Sequence, residues 1–169
     1  RQSPPRAVAV ACRPPRSVLL TPPMTAGALS GITVLELGEH VSAPYCGKLF
    51  ADYGADVIKI EPPAGDVART WGPFPGDAPH LEKSGLYQYL NTGKQGITLD
   101  PATKRGRELF LELLGRADVL IENSPPRLLR ERGIDYASLA SANPHLVMIS
   151  ITPFGQTGPY ADWNGYDLN

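Results

Sequence analysis

The sequence predicts an α/β fold built on a mainly parallel sheet with flanking helices. Three observations carry that prediction. The stretch from Gly31 to Glu61 reads as strand, loop, helix and strand, because the apolar β-rich runs Ile32 to Leu37 and Val57 to Ile60 flank a segment with small and apolar residues at helical spacing. Similar apolar runs recur at 118–122 and 146–151. Between the strands lie helical patterns rather than hairpin turns, and strands joined through helices are most simply parallel.

Residues 1–23 hold three Pro-Pro pairs and no usable periodicity, so neither helix nor sheet is expected and the segment reads as disordered. The chain begins with Arg1, and Met24 lies just before the first strand pattern, which makes residues 24–169 the expected folded unit and 1–23 additional upstream sequence. A basic, acid-free lead also fits an organelle transit peptide, but its prolines spoil the amphipathic helix such peptides use.

The opening βαβ unit places the loop Gly38 to Pro44 at the carboxyl end of the first strand, where ligands of parallel sheets collect. Pro62 to Gly85 follows, rich in Pro, Gly and Asp, and is expected to be a long surface loop. Within it, Arg69 and Trp71 are the side chains best able to meet a ligand; the alternative is that Trp71 pins the loop to the body and Arg69 is solvated. Short extended or helical pieces are expected at Leu86 to Leu90 and Gly96 to Leu99, around the turn Asn91 to Lys94.

Asp100-Pro101 is expected to open the next helix, whose core stripe is Leu109, Phe110, Leu113 and Leu114, with Gly115 closing it. Asp118 to Glu122 is a buried strand. Its end loop, Asn123 to Arg127, should open on the same rim as Gly38 to Pro44. Pro126 to Arg132 reads as a short basic helix ended by Gly133, Asp135 as the cap of a helix reaching Ala142, and Leu146 to Ile151 as the last strand.

Composition limits the function. At 42% hydrophobic and 20% charged, the chain has the composition of a globular protein, and no apolar run approaches the roughly 20 residues that span a bilayer. The net charge of −1 hides an acidic body: residues 1–23 carry four arginines and no acid, leaving 12 basic against 17 acidic residues and a net of −5. That balance disfavours a nucleic-acid partner, which needs a basic face. Cys12 and Cys46 form no CxxC pair, so a reducing cytoplasm is the simpler setting and Cys46 reads as a small core residue. P-loop, GxGxxG, HExxH and GxSxG patterns are absent, and three histidines (His40, His80, His145) give little material for a metal site. The missing GxGxxG also counts against a nicotinamide-dependent oxidoreductase. His40 lies on the first rim loop beside Glu39, and a hydrogen-bonding or packing role is expected for it ahead of catalysis.

Several segments, in order, carry a resemblance: LELGEHVSAPYCGKLFADYGADVIKIEPPAGD, NTGKQGITLD, ADVLIENSPP, GIDYASLASANPHLVMISITPFGQTGPY and NGYD. Together they resemble the family III CoA-transferases, the group of formyl-CoA and carnitine CoA-transferases, over about Gly31 to Asn169. The resemblance implies a Rossmann-like large domain, incomplete at this length, a smaller second domain from later sequence, and an interlocked homodimer. It implies acyl-CoA and a small carboxylic acid as substrates, with no metal. The coenzyme A positions that match by motif are Val41 and Ser42, Leu99 and Asp100, Asn123 and Ser124, and Tyr166. Lys104, Arg130 and Arg132 are the candidate cations for its phosphates.

Family chemistry implies an aspartate that attacks the acyl-CoA thioester, giving a mixed anhydride and free CoA thiolate, after which CoA returns to the incoming acid as a new thioester. The matching aspartate is expected beyond Asn169, so no catalytic residue is assigned in this chain, which alone should be inactive. Departures exist: Glu39 stands where an Arg is common, Ala43 where a Gly is, Ser124 where an aromatic is, and Glu131 where a basic residue falls. The sister α-methylacyl-CoA racemases carry GHD where this chain has Gly165-Tyr166-Asp167, and a tyrosine of ordinary pKa about 10 is a poor replacement for that histidine. A non-catalytic CoA- or nucleotide-binding module is the remaining alternative.

Overall fold

The computed structural model describes residues 27–165. Expectations for residues 1–23, for Cys12, for a start at Met24 and for Tyr166 lie outside the described residues.

Five strands form one sheet: β1 (Thr33–Glu36), β2 (Asp56–Glu61), β3 (Gln95–Thr98), β4 (Val119–Glu122) and β5 (Val147–Ser150). The order is β3-β2-β1-β4-β5, and every pairing is parallel. The chain winds outward from β1 to β2 and β3, then crosses back to β4 on the other side of β1. That reversal puts a topological switch point between β1 and β4, the place where ligands of open parallel sheets bind.

Strand alternation sends residues to two cores. On one face Leu35, Ile60 and Leu120 pack with Phe110 and Leu114 of α3 (Lys104–Leu114), Leu129 of α4 (Pro126–Arg132) and Leu139 of α5 (Tyr136–Ala140). On the other, Val34, Val57, Val119 and Ile121 pack with Ala43, Cys46 and Phe50 of α1 (Ser42–Asp52). Cys46 thus has the packing role expected of it, and burial pushes its thiol pKa up. α2 (Gly85–Leu90) lies beside α1.

Local signals set most boundaries. Gly133 ends α4 at φ 60°, where a side chain would be strained. Asp135 caps α5 through its carboxylate, which accepts from the Ser138 amide at 2.9 Å. That helix ends at Ala140 rather than 142, because Asn143 turns inward and donates from Nδ2 to the carbonyls of Leu114 and Ala117.

Two expectations are corrected. Asp100-Pro101 does not open α3: Asp100 accepts from the Ala102 amide in a preceding turn, and Thr103 is the cap, accepting from the Gly106 amide at 3.0 Å. Gly106 lies against the Asp100 carbonyl, where a Cβ would collide. The stretch 62–85 also has structure of its own, two 3₁₀ turns at Val67–Thr70 and Pro75–Asp77. Buried Ser84 ties it together, donating to the Ala68 carbonyl and accepting from the Tyr87 amide.

Among the described residues, no helix is long and apolar enough to cross a membrane.

Candidate functional site

At the switch point lies a groove of about 480 Å³. Its walls come from the ends of four strands: Glu39 and His40 after β1, Pro62 after β2, Leu99 and Asp100 after β3, Asn123 and Ser124 after β4, with Arg132 from the end of α4. Strand ends supply these positions because each chain must turn there to enter its helix, leaving loop backbone and short polar side chains facing outward.

Asn123 clamps the rim. Its Oδ1 accepts from the Glu39 amide at 3.0 Å, and its Nδ2 donates to the Glu39 carbonyl at 2.8 Å and to Ser42 Oγ at 3.0 Å. The two loops expected to share a rim do so, bonded through one carboxamide. Gly38 lies beneath this clamp, where a Cβ would strike Ala43 and the Asn123 side chain.

Leu99, Asp100, Asn123 and Ser124 all line the groove. Ser42 is tied to it through Asn123 and starts α1, an eleven-residue helix whose N-cap, Val41, offers no side-chain hydrogen bond to the opening amides. Val41 itself is exposed on the outer side and does not line the groove.

The candidate cations separate. Arg132 lines the groove. Arg130 turns away to Asp162 at 3.3 Å, Lys104 is exposed on α3 outside the lining residues, and Glu131 pairs with Arg127 at 3.7 Å. Glu39 brings an acid into the same groove. Burial, then the Asp66 carboxylate, pushes its pKa up, while Lys59 and Arg132 oppose the rise.

For Arg69 neither reading holds, whereas Trp71 packs on the first rim loop as the pinning reading expects. Arg69 is mostly buried and committed to Glu61, so it is neither a free ligand contact nor a solvated cation. Trp71 is half-exposed, with its ring 4.6 Å from that of His40. His40 has the packing role expected of it. It also occupies left-handed backbone at φ 65°, and its Nε2 is buried without a hydrogen-bond partner among the described residues.

Sequence reasoning missed a set of buried charges beneath the rim. Lys59 Nζ reaches Glu36 Oε1 at 3.0 Å and Asp66 Oδ2 at 2.7 Å, and Lys94 Nζ reaches Glu36 Oε2 at 2.6 Å. Gly47 of α1 lies so close that a Cβ there would collide with Glu36. Burial pulls the Lys94 ammonium below its usual range against the pull of Glu36. A visible signal existed: Glu36 and Lys59 interrupt otherwise apolar strands. Glu122, fully buried at the end of β4, is pushed up by burial although it accepts from the Ser124 amide at 2.7 Å.

With this geometry in place, likeness to known proteins decides the family. The sequence model of CoA-transferase family III matches residues 29–169. The chain belongs to that family. This family III chain is 48% identical over 142 residues to a succinate–glutarate CoA-transferase of Agrobacterium fabrum, covering 82% of this chain and 36% of the relative. It is 39% identical over 148 residues to an acetyl-CoA:oxalate CoA-transferase of Acetobacter aceti, covering 87% and 37%. Among solved structures, a CAIB/BAIF family protein from Brucella suis superposes with a TM-score of 0.76 at 43% identity, over 85% of this chain and 38% of that one. The chain thus spans little more than a third of the relatives it matches. Among the described residues, no group of three or more His, Cys, Asp or Glu is placed to hold a metal.

Proposed function

We propose that this chain forms the CoA-holding part of an enzyme that moves coenzyme A between an acyl-CoA and a small carboxylic acid. The observation that carries the proposal is the groove at the β1/β4 switch point, where the ends of four strands, the Asn123 clamp and Arg132 converge. The groups fit the ligand's chemistry. Phosphate oxygens are satisfied by loop backbone amides and by an arginine, and loop carbonyls and carboxamides suit the amide-bearing pantetheine arm. Leu99, Asp100, Asn123 and Ser124 are its proposed contacts in the groove wall, with Ser42 beside Asn123. Val41 and Tyr166 are proposed on motif resemblance alone, and Arg132 is its proposed phosphate cation.

The covalent step is assigned to an aspartate supplied beyond Asn169. Its carboxylate attacks the acyl-CoA carbonyl, the C–S bond breaks, and CoA leaves as thiolate while the acyl group forms an anhydride with the enzyme. The thiolate then attacks the aspartyl carbonyl of that anhydride, releasing the donor carboxylate and leaving an aspartyl-CoA thioester. The incoming carboxylate attacks this thioester, giving a second anhydride and CoA thiolate, which takes the new acyl group and frees the aspartate. The role left to residues 27–165 is to hold CoA by its phosphates and arm, so that the thiolate stays near the anhydride between steps. The names of the relatives, with succinate, glutarate and oxalate in them, support a small carboxylate as acceptor. A homodimer and a cytoplasmic setting complete the proposal.

Calorimetric titration of the 169-residue chain with CoA tests the binding role, with binding that weakens as salt rises as the expected result. Absence of heat at millimolar CoA would remove it. Exchange of isotope-labelled CoA among carboxylic acids should be absent from this chain and present when the downstream sequence is included; turnover by the chain alone would refute the assignment of the nucleophile.

A further inference from the structure

The buried charges beneath the rim make contacts that converge on one backbone loop. Lys59 Nζ donates to the Gly38 carbonyl at 3.0 Å. Asp66 Oδ1 accepts from the His40 amide at 2.9 Å. Lys94 Nζ donates to the Pro44 carbonyl at 2.7 Å. Those three atoms bracket the loop Gly38 to Pro44, and Glu36 joins the two lysines through its separate carboxylate oxygens. Two cations and two anions balance, and Lys59, Glu36 and Asp66 are each at most 2% exposed.

A balanced buried ion network is weak evidence for stability, since apolar residues of the same volume often do as well. What apolar residues cannot do is hold backbone polar atoms. The loop needs holding, because His40 sits in left-handed backbone without being glycine, a conformation that persists only when its surroundings fix it. Asp66 holds that residue directly. It is itself set by the Ala68 amide at 2.8 Å, by its own amide, which donates to Glu61 at 3.0 Å, and by the ion pair to Lys59.

We propose that Lys59 and Asp66 are positioning residues that lock the Gly38–His40 turn and so hold Glu39 and His40 in the wall of the ligand groove. The effect on a ligand rests on the CoA reading above; the lock itself does not.

The test uses the 169-residue chain and two readouts, amide hydrogen exchange and CoA titration. Asp66→Ala removes the acceptor for the His40 amide, whereas Asp66→Asn retains an oxygen in the same place. Asp66→Ala should lower protection of the His40 amide at least tenfold while the β1 and β2 amides stay protected, and weaken CoA at least tenfold. Asp66→Asn keeps an acceptor for the His40 amide but leaves the buried Lys59 ammonium unpaired, so both losses should be present and smaller than in Asp66→Ala. If Asp66→Ala melts below the assay temperature, both chains are measured in a stabilising osmolyte. Unchanged His40 protection in Asp66→Ala overturns the lock, and equal CoA affinity overturns its bearing on the groove. An unaltered chain that binds no CoA overturns the CoA reading instead, and the lock is then decided by His40 protection.

Discussion

Arg69 grips Glu61 with two hydrogen bonds, Nε to Oε2 at 2.7 Å and Nη2 to Oε1 at 2.9 Å. Its guanidinium lies over the Tyr87 ring at 3.7 Å, and the Tyr87 hydroxyl donates to the same Glu61 carboxylate. One pairing therefore fastens the 62–85 stretch to the end of β2. A lysine carries the charge but not the planar fork. Arg69→Lys is expected to cost about 2 kcal/mol and Arg69→Met about 3 kcal/mol or more, because the second leaves the buried Glu61 charge without its cation. Urea unfolding measures both; a loss under about 0.5 kcal/mol for Arg69→Met would show that the pair does not fasten this stretch.

The same carboxylate gives the fold an acid limit. Burial alone would raise the Glu61 pKa, but hydrogen bonds from Arg69, Tyr87 and the Asp66 amide outweigh it and bring it to about 2. A carboxylate depressed on folding stabilises fully above its unfolded value, about 4.5, and loses that contribution as pH falls toward 2. The contribution is of order 3 kcal/mol. Stability should therefore fall between about pH 4.5 and 2, and Glu61→Gln should flatten that slope. An unchanged slope in the variant would reassign the acid sensitivity to other groups.

Glu122 acts with the opposite sign and in a different window. Its carboxyl is pushed up by burial, so the folded state holds its proton longer than the unfolded chain does. It then costs stability as pH rises through the range above about 4.5. Glu122→Gln keeps an oxygen for the Ser124 amide while removing the buried charge. The substitution should raise stability at pH 7 by about 1 kcal/mol and flatten the slope above pH 4.5. Destabilisation at pH 7 would mean that the charge itself is needed.

Strands β1, β2, β4 and β5 were legible because each is a short apolar run, whereas β3 reads QGIT and its sequence does not choose between extended and helical. Gly133 and Asp135 mark helix boundaries by chemistry that acts over one turn. The shared rim was also legible, since strand ends in a parallel sheet share an edge. Of the buried network only the charges of Glu36 and Lys59 within apolar strands were legible, not their pairing. Glu36 meets Lys59 across 23 residues and Lys94 across 58, and nothing local distinguishes Lys94 from an ordinary turn lysine in NTGK. Arg69 escaped for the same reason: whether it is solvated, ligand-bound or paired depends on where the end of β2 lies. Four of the motif-matched positions, Leu99, Asp100, Asn123 and Ser124, line one groove, whereas choosing among Lys104, Arg130 and Arg132 required knowing which way α3 and α4 face.

That choice gives a charge-specific prediction. Arg132 lines the groove, its neighbour Arg130 is spent on Asp162, and Glu131 pairs with Arg127. Both arginines contribute equally to net charge, so a general electrostatic attraction for CoA would weaken alike on losing either one. A direct phosphate contact would not, since a charge-assisted hydrogen bond to phosphate depends on reach. Arg132→Gln is accordingly expected to weaken CoA about tenfold, a loss of about 1.4 kcal/mol, and to reduce the salt dependence of binding. Arg130→Gln should stay within twofold. Titrations of both variants at low and high salt decide the matter: equal losses would mean that Arg132 supplies only long-range charge, and the groove would then need another cation to hold a phosphate.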